Sequence, residues 1–331
     1  MRFLPTRPAL PLQPVQQARP ARWRSARAAL SVAWLALCAL VLVLTGAAQA
    51  QPVRVASKID TEGSLLGELI IRTLEGHGIK TENRLQLGAT QIVRAALLAG
   101  EIDLYPEYTG NGAFFFADAK NPVWKHHAAG HARVKQLDAE RNKLVWLQPS
   151  PANNTWAIAL RQDLARSQKL GSLADLGRYL AAGGKFKLAA SAEFVERPDA
   201  LPAFQAAYGF KLRQDQLLTL AGGDTAVTLK AAAEQTSGVN AAMAYGTDGP
   251  VAALGLVILG DPLGVQVVYA PTPVVRAEVL ARQPRIATLL APLFQSLDAT
   301  TLQRLNAQIA LEGQDARKVA ESYLKAKGLL P

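Results

Sequence analysis

The chain has 331 residues, half of them hydrophobic and 6% aromatic, with 36 Lys and Arg against 26 Asp and Glu for a formal charge of +10. A length of this order suits about two ordinary domains, or two lobes of one larger fold, and the apolar content with interspersed charge excludes a disordered chain. A single cysteine excludes a disulfide framework, a Cys-x-x-Cys redox pair and a cysteine-rich zinc site.

The basic excess invites a nucleic-acid reading, but its distribution argues against one. Residues 1–50 hold six arginines and no acidic residue, which leaves 30 bases against 26 acids in the rest. After Arg27 comes an apolar run over 28–44, closed by Ala48-Gln49-Ala50. A basic start, an apolar middle and a small-x-small end predict a secretory signal peptide cut near Ala50/Gln51. The alternatives are an uncleaved membrane anchor, since the run is nearly long enough to span a bilayer, and lipidation at Cys38. Bulky Leu37 directly before that cysteine fits a lipidation site poorly. Cleavage at Ala50 leaves a cysteine-free protein suited to an oxidising compartment.

From Gln51 on, short apolar runs alternate with helical patterns, an α/β signature. A first strand is predicted over 53–57. Leu65, Leu66, Leu69, Ile70 and Leu74 recur at helical spacing until Gly76 and Gly78 end the run. A strand over 84–87, a helix over 90–99 and a strand over 102–105 follow. Apolar stretches over 144–147 and 155–160 flank the polar turn 149–154, which reads as a crossing between two lobes. A second α/β set runs from a helix at 173–180 through strands at 185–190 and 241–245. Residues 256–269 suggest the return crossing, and the last sixty residues read as helical with no further strand.

No nucleophile elbow, phosphate loop, zinc-protease or dinucleotide fingerprint is present. His127 and His131 are four apart and share a helix face, as metal pairs do, but Lys125 and Arg133 flank them and no carboxylate completes a site. A solvated helix face is the better reading, and no metal is expected. Asp60 with Glu62 and Glu101 with Asp103 are acid pairs of the kind common on surfaces and helix starts. Tyr105-Pro106-Glu107-Tyr108-Thr109-Gly110-Asn111 is more informative. It follows a strand, breaks it with Pro and Gly, and sets side chains at the mouth of a cleft. Lys58, at the end of the first strand, lies where open α/β sheets bind ligands.

These segments resemble the substrate-binding proteins of osmoprotectant (glycine betaine/choline) ABC transporters, in the low-affinity glycine-betaine-binding periplasmic branch. The likeness is carried by Ser57-Lys58-Ile59-Asp60-Thr61-Glu62-Gly63 and by the segment from Ile102 to Gly112. Asn153-Asn154-Thr155-Trp156, Glu193-Phe194-Val195-Glu196-Arg197-Pro198-Asp199 and Ala244-Tyr245-Gly246-Thr247-Asp248-Gly249 extend it. The resemblance implies a type II periplasmic-binding-protein fold: two α/β lobes joined by two crossings, with a ligand cleft between them. Its expected organisation is a leader over 1–50, a first lobe over 51–153, a second over 154–260, and a return to the first over 261–331.

The resemblance also implies the site. Tyr108 and Trp156 are expected as walls of an aromatic cage, Lys58 and Arg197 at a ligand carboxylate, and Asn111 where relatives carry Thr. Asn154 is expected near the methyl groups. A trimethylammonium has no N–H to donate, so aromatic faces must recognise it, at about 0.5–2 kcal/mol each. Two further cage tyrosines are expected to be replaced by Leu229 and Leu254, with Tyr245 compensating in part, which predicts roughly thirtyfold weaker binding. The function implied is delivery of a zwitterionic or quaternary-ammonium solute to a membrane permease by a monomeric periplasmic protein that is not an enzyme and uses no cofactor. The alternatives are an exported sensor on the same fold, or a binder of another small zwitterion.

Overall fold

The computed structural model describes residues 51–331; the expected signal peptide and Cys38 lie outside them. In chain order the strands are β1 (Val53–Lys58), β2 (Thr81–Gly88), β3 (Leu104–Tyr108), β4 (Leu144–Trp146), β5 (Trp156–Arg161), β6 (Leu188–Ser191), β7 (Leu217–Leu220), β8 (Ala241–Tyr245), β9 (Leu256–Ile258) and β10 (Pro271–Arg276). They form two five-stranded sheets, ordered β2-β1-β3-β10-β4 and β7-β6-β8-β5-β9. This is the two-lobed α/β architecture of type II periplasmic binding proteins.

Both sheets follow one plan. β1 pairs in parallel with β2 and β3, and β6 pairs in parallel with β7 and β8. Each sheet is then extended by antiparallel strands, β10 and β4 in one and β5 and β9 in the other. Parallel strands need helical crossovers that cover both faces, so their residues are apolar without alternation. Val53, Val55 and Ala56 are buried in this way. Helix Thr61–Gly76 begins at Asp60, whose Oδ1 accepts the Gly63 amide at 2.6 Å. It buries Leu65, Leu66, Leu69, Ile70, Ile71 and Leu74 completely.

Two features depart from the sequence reading. The final segment does contain a strand, β10, lying between β3 and β4. Pro271 and Pro273 disguise it, since proline gives no ladder donor. Their carbonyls nonetheless accept, from Ser150 N at 2.8 Å and Leu147 N at 3.0 Å. In the same way β3 is not broken by Pro106 but continues to Tyr108, with Pro106 opposite Pro273.

The two crossings are bonded to each other. Asn154 N donates to Tyr269 O at 2.9 Å, and Tyr269 N donates to Asn153 Oδ1 at 2.8 Å. Helix Ala299–Ala310 lies against the second sheet's segment at Gly246–Gly249: Gln303 Nε2 reaches Gly246 O at 3.0 Å. A Cβ on Gly249 would fall 1.9 Å from the Gln303 carbonyl, so only glycine allows that approach.

Candidate ligand-binding site

The C-terminal ends of the parallel strands converge on one cavity, where open α/β sheets hold ligands. Lys58 ends β1, Tyr108 ends β3 and Tyr245 ends β8. Trp156 opens β5 directly opposite Tyr245 in the ladder. The cavity is lined by these four and by Asp60, Thr90, Asn111, Asn154 and Tyr269. Trp156 packs against Tyr245 with ring centroids 4.9 Å apart and against Phe194 at 5.1 Å.

Six of the seven expected residues therefore line one cavity, and Arg197 stands immediately behind, donating through Nη1 to Asn111 Oδ1 at 2.8 Å. The two leucines expected in place of cage tyrosines stand away from the cavity. Leu229 is fully buried in the second lobe's core, and Leu254 packs at that core's edge; neither lines this cavity. Four aromatic walls are present, the fourth being Tyr269. Sequence reading missed it because it sits on the return crossing rather than in a recognisable motif.

The bases are already paired. Lys58 Nζ meets Glu107 Oε1 at 2.7 Å and lies 4.6 Å from the Tyr108 ring centroid. Glu107 Oε1 also accepts Asn111 Nδ2 and the Tyr108 amide, both at 2.7 Å, while Oε2 accepts the Tyr105 hydroxyl at 2.9 Å. Asp199 grips the Arg197 guanidinium with both oxygens, at 2.9 and 2.6 Å, and Glu193 adds a contact at 2.9 Å. Burial pulls the Arg197 pKa down, but these hydrogen-bonded carboxylates more than offset it and hold the group charged. Lys58 thus lines the cavity and Arg197 stands behind it, each neutralised by the protein's own acids.

Glu62, dismissed in the sequence as a helix-start acid, is the buried hub behind the cavity. Oε1 accepts the Tyr108 hydroxyl at 2.8 Å and Asn154 Nδ2 at 2.9 Å, and Oε2 accepts Asn306 Nδ2 at 2.8 Å. Burial raises its pKa against those bonds. Burial likewise pushes Asp60 up to about 6 and Asp248 up to about 7. Asn154 keeps its Oδ1 buried without a hydrogen-bond partner, an acceptor suited to the weakly polarised C–H groups of a methylammonium.

His127 and His131 do not present a solvated face. Their Nε2 atoms contact Ser150 O at 2.7 Å and Leu147 O at 2.8 Å, which pins helix His127–Asn142 to the first crossing. Asp103, the other acid singled out, pairs with Arg54 at 2.7 Å and is structural.

Two α/β lobes, hydrogen-bonded crossings and an aromatic-lined cavity define a solute-binding protein. Residues 51–326 match the family described as the substrate binding domain of ABC-type glycine betaine transport systems, and the chain belongs to it. It is similar to the glycine betaine-binding protein YehZ of Escherichia coli K12, at 68% identity over 279 residues, 84% of this chain and 92% of that protein. The solved structure of apo YehZ aligns with a TM-score of 0.63, covering 85% of this chain and all of the other. A glycine-betaine-binding protein of Pseudomonas aeruginosa PAO1 is 33% identical over 302 residues, 89% of this chain and 94% of that one.

Proposed function

We propose that this chain is the periplasmic receptor of an ABC importer, exported by a leader removed near Ala50/Gln51. It would take a quaternary-ammonium solute such as glycine betaine between lobes formed by 51–153 with 261–331 and by 154–260, and present it as a monomer to the membrane permease. The observation that carries this reading is the cavity wall, to which Tyr108, Trp156, Tyr245 and Tyr269 all contribute. Aromatic faces recognise a cation that has no hydrogen to donate. Lobe closure on the solute gives the permease a distinct form to bind. The family's role as receptors rather than catalysts agrees with the bonding at the cavity, where the acids serve as partners of bases, hydroxyls and amides.

A thermal-shift titration of the protein beginning at Gln51 tests the proposal, using glycine betaine, proline betaine, choline and carnitine up to millimolar concentration. Stabilisation grows as RT ln(1 + [L]/Kd), so weak ligands register at high concentration. A rise in Tm with at least one of the four supports the reading; no rise with any of them rejects it.

A further inference from the structure

We propose that Asp60 is a specificity-determining residue that favours a quaternary ammonium lacking a carboxylate, a choline-type cation, over the zwitterion bearing the same head group. The inference rests on reading the cavity as a quaternary-ammonium site.

Asp60 lines the cavity and is about nine-tenths buried. One oxygen caps helix Thr61–Gly76 through the Gly63 amide at 2.6 Å. The other takes no hydrogen bond, and the residue enters no ion pair, among the described residues. The bases at the cavity are committed elsewhere, Lys58 to Glu107 and Arg197 to Asp199 and Glu193. The lining itself carries one base and one acid, Lys58 and Asp60. The groups bonded directly behind it are mostly acids, Glu107, Glu62, Asp199 and Glu193 against Arg197 alone, so acids outnumber bases around the cavity before a ligand enters. A cation relieves that excess. A zwitterion brings a carboxylate that must compete with Glu107 or Asp199 for donors already in use. In a low-dielectric pocket this difference acts through space and needs no hydrogen bond to the ammonium.

Asp60 is faced by Lys58 from β1, Glu62 from its own helix, and Asp224 and Asp248 from the second lobe, with Tyr108 and Tyr245 alongside. Burial raises its pKa to about 6, with Lys58 and the Gly63 bond opposing. Its charge, and with it the preference for a cation, is consequently present at pH 8 and largely lost at pH 5. Choline and glycine betaine both keep their own charge states over that range.

Calorimetric titration of choline and glycine betaine at pH 5 and pH 8, on the unmodified protein and on Asp60→Asn, tests this. The amide retains the oxygen that caps the helix. The expected result at pH 8 is that the affinity ratio, choline over betaine, falls about tenfold in Asp60→Asn. In the unmodified protein that ratio rises severalfold from pH 5 to pH 8. Equal changes for the two ligands in the variant overturn the role of Asp60, as does a ratio indifferent to pH. Should Asp60→Asn fail to fold, Asp60→Ser, which also keeps an oxygen able to cap the helix, carries the same comparison. Asp248→Asn is expected to leave the pH dependence in place; if it abolishes it, the selecting charge is Asp248 and the assignment falls. Failure of both ligands to bind the unmodified protein at either pH counts against the quaternary-ammonium reading itself, whereas binding with an unchanged ratio rejects only Asp60.

Discussion

Tyr108 donates its hydroxyl to Glu62 Oε1 at 2.8 Å, so one wall of the cavity is fixed from behind by a carboxylate on a different element. The same carboxylate holds Asn154 and Asn306, which ties the first crossing and a C-terminal helix to that wall. Glu62→Gln places an amide N–H₂ where one of these donors now points, leaving a buried donor unpaired. A loss of about 1–3 kcal/mol in unfolding free energy is expected, read by urea denaturation. Tyr108→Phe removes a single bond and should cost about 1 kcal/mol with ligand affinity nearly retained. A collapse of affinity in Tyr108→Phe would show that the hydroxyl touches the ligand.

Trp156 contributes to both the cavity wall and the core, because its ring packs on Tyr245 and Phe194. Trp156→Leu should weaken quaternary-ammonium binding roughly 2- to 30-fold. It should also lower stability by about 2 kcal/mol through lost packing. Calorimetry at a temperature where the variant is folded separates the two effects. Unchanged affinity in a folded variant would remove Trp156 from the cage.

Arg197 reaches across the cleft to Asn111 at 2.8 Å, and Thr61 reaches Asp224 at 3.1 Å. These contacts hold the lobes together through side chains alone. Asn111→Ala is expected to shift the population toward the open form, visible as a larger radius of gyration by solution scattering, and to lower ligand affinity severalfold. An unaltered scattering profile would show that the contact does not govern closure.

The buried acids predict how stability varies with pH. Asp60 and Asp248 have folded-state pKa values raised by burial to about 6 and about 7. The folded state therefore holds these protons more tightly, and the stability they contribute is fully present below pH ~4 and lost as pH rises toward 7. Asp248→Asn should flatten that decline in chemical denaturation without ligand. His131 acts in the opposite sense. Burial lowers its pKa, so its contribution is present above about pH 6.5 and lost on acidification. His131→Gln should remove that acid-side loss.

Much of the fold was legible because burial on both faces leaves unalternated apolar runs, as in β1, and because glycines punctuate the helices. The strand β10 escaped because Pro271 and Pro273 imitate a loop, and only the sheet reveals that their carbonyls are the groups used. At the cavity, Lys58, Tyr108, Asn111, Asn154, Trp156 and Tyr245, with Arg197 behind them, could be reached by position within motifs. Tyr269 could not, since nothing local marks a crossing residue as a wall. Leu229 and Leu254 lie in and at the edge of the second lobe's core, away from the cavity lining, a placement that spacing along the chain does not reveal. Glu62 and Asp60 looked ordinary because a helix-start acid has the same sequence whether it faces water or is buried at a cavity.

Trp156 and Tyr269 stand at the ends of the two bonded crossings, one opening β5 and the other two residues before β10. The segments that must twist when the lobes part thus carry half of the aromatic wall. Departure of a solute then requires rotation of the lobes, and a solute that touches these walls holds the lobes closed for longer. Solutes of differing affinity should therefore differ mainly in how fast they leave.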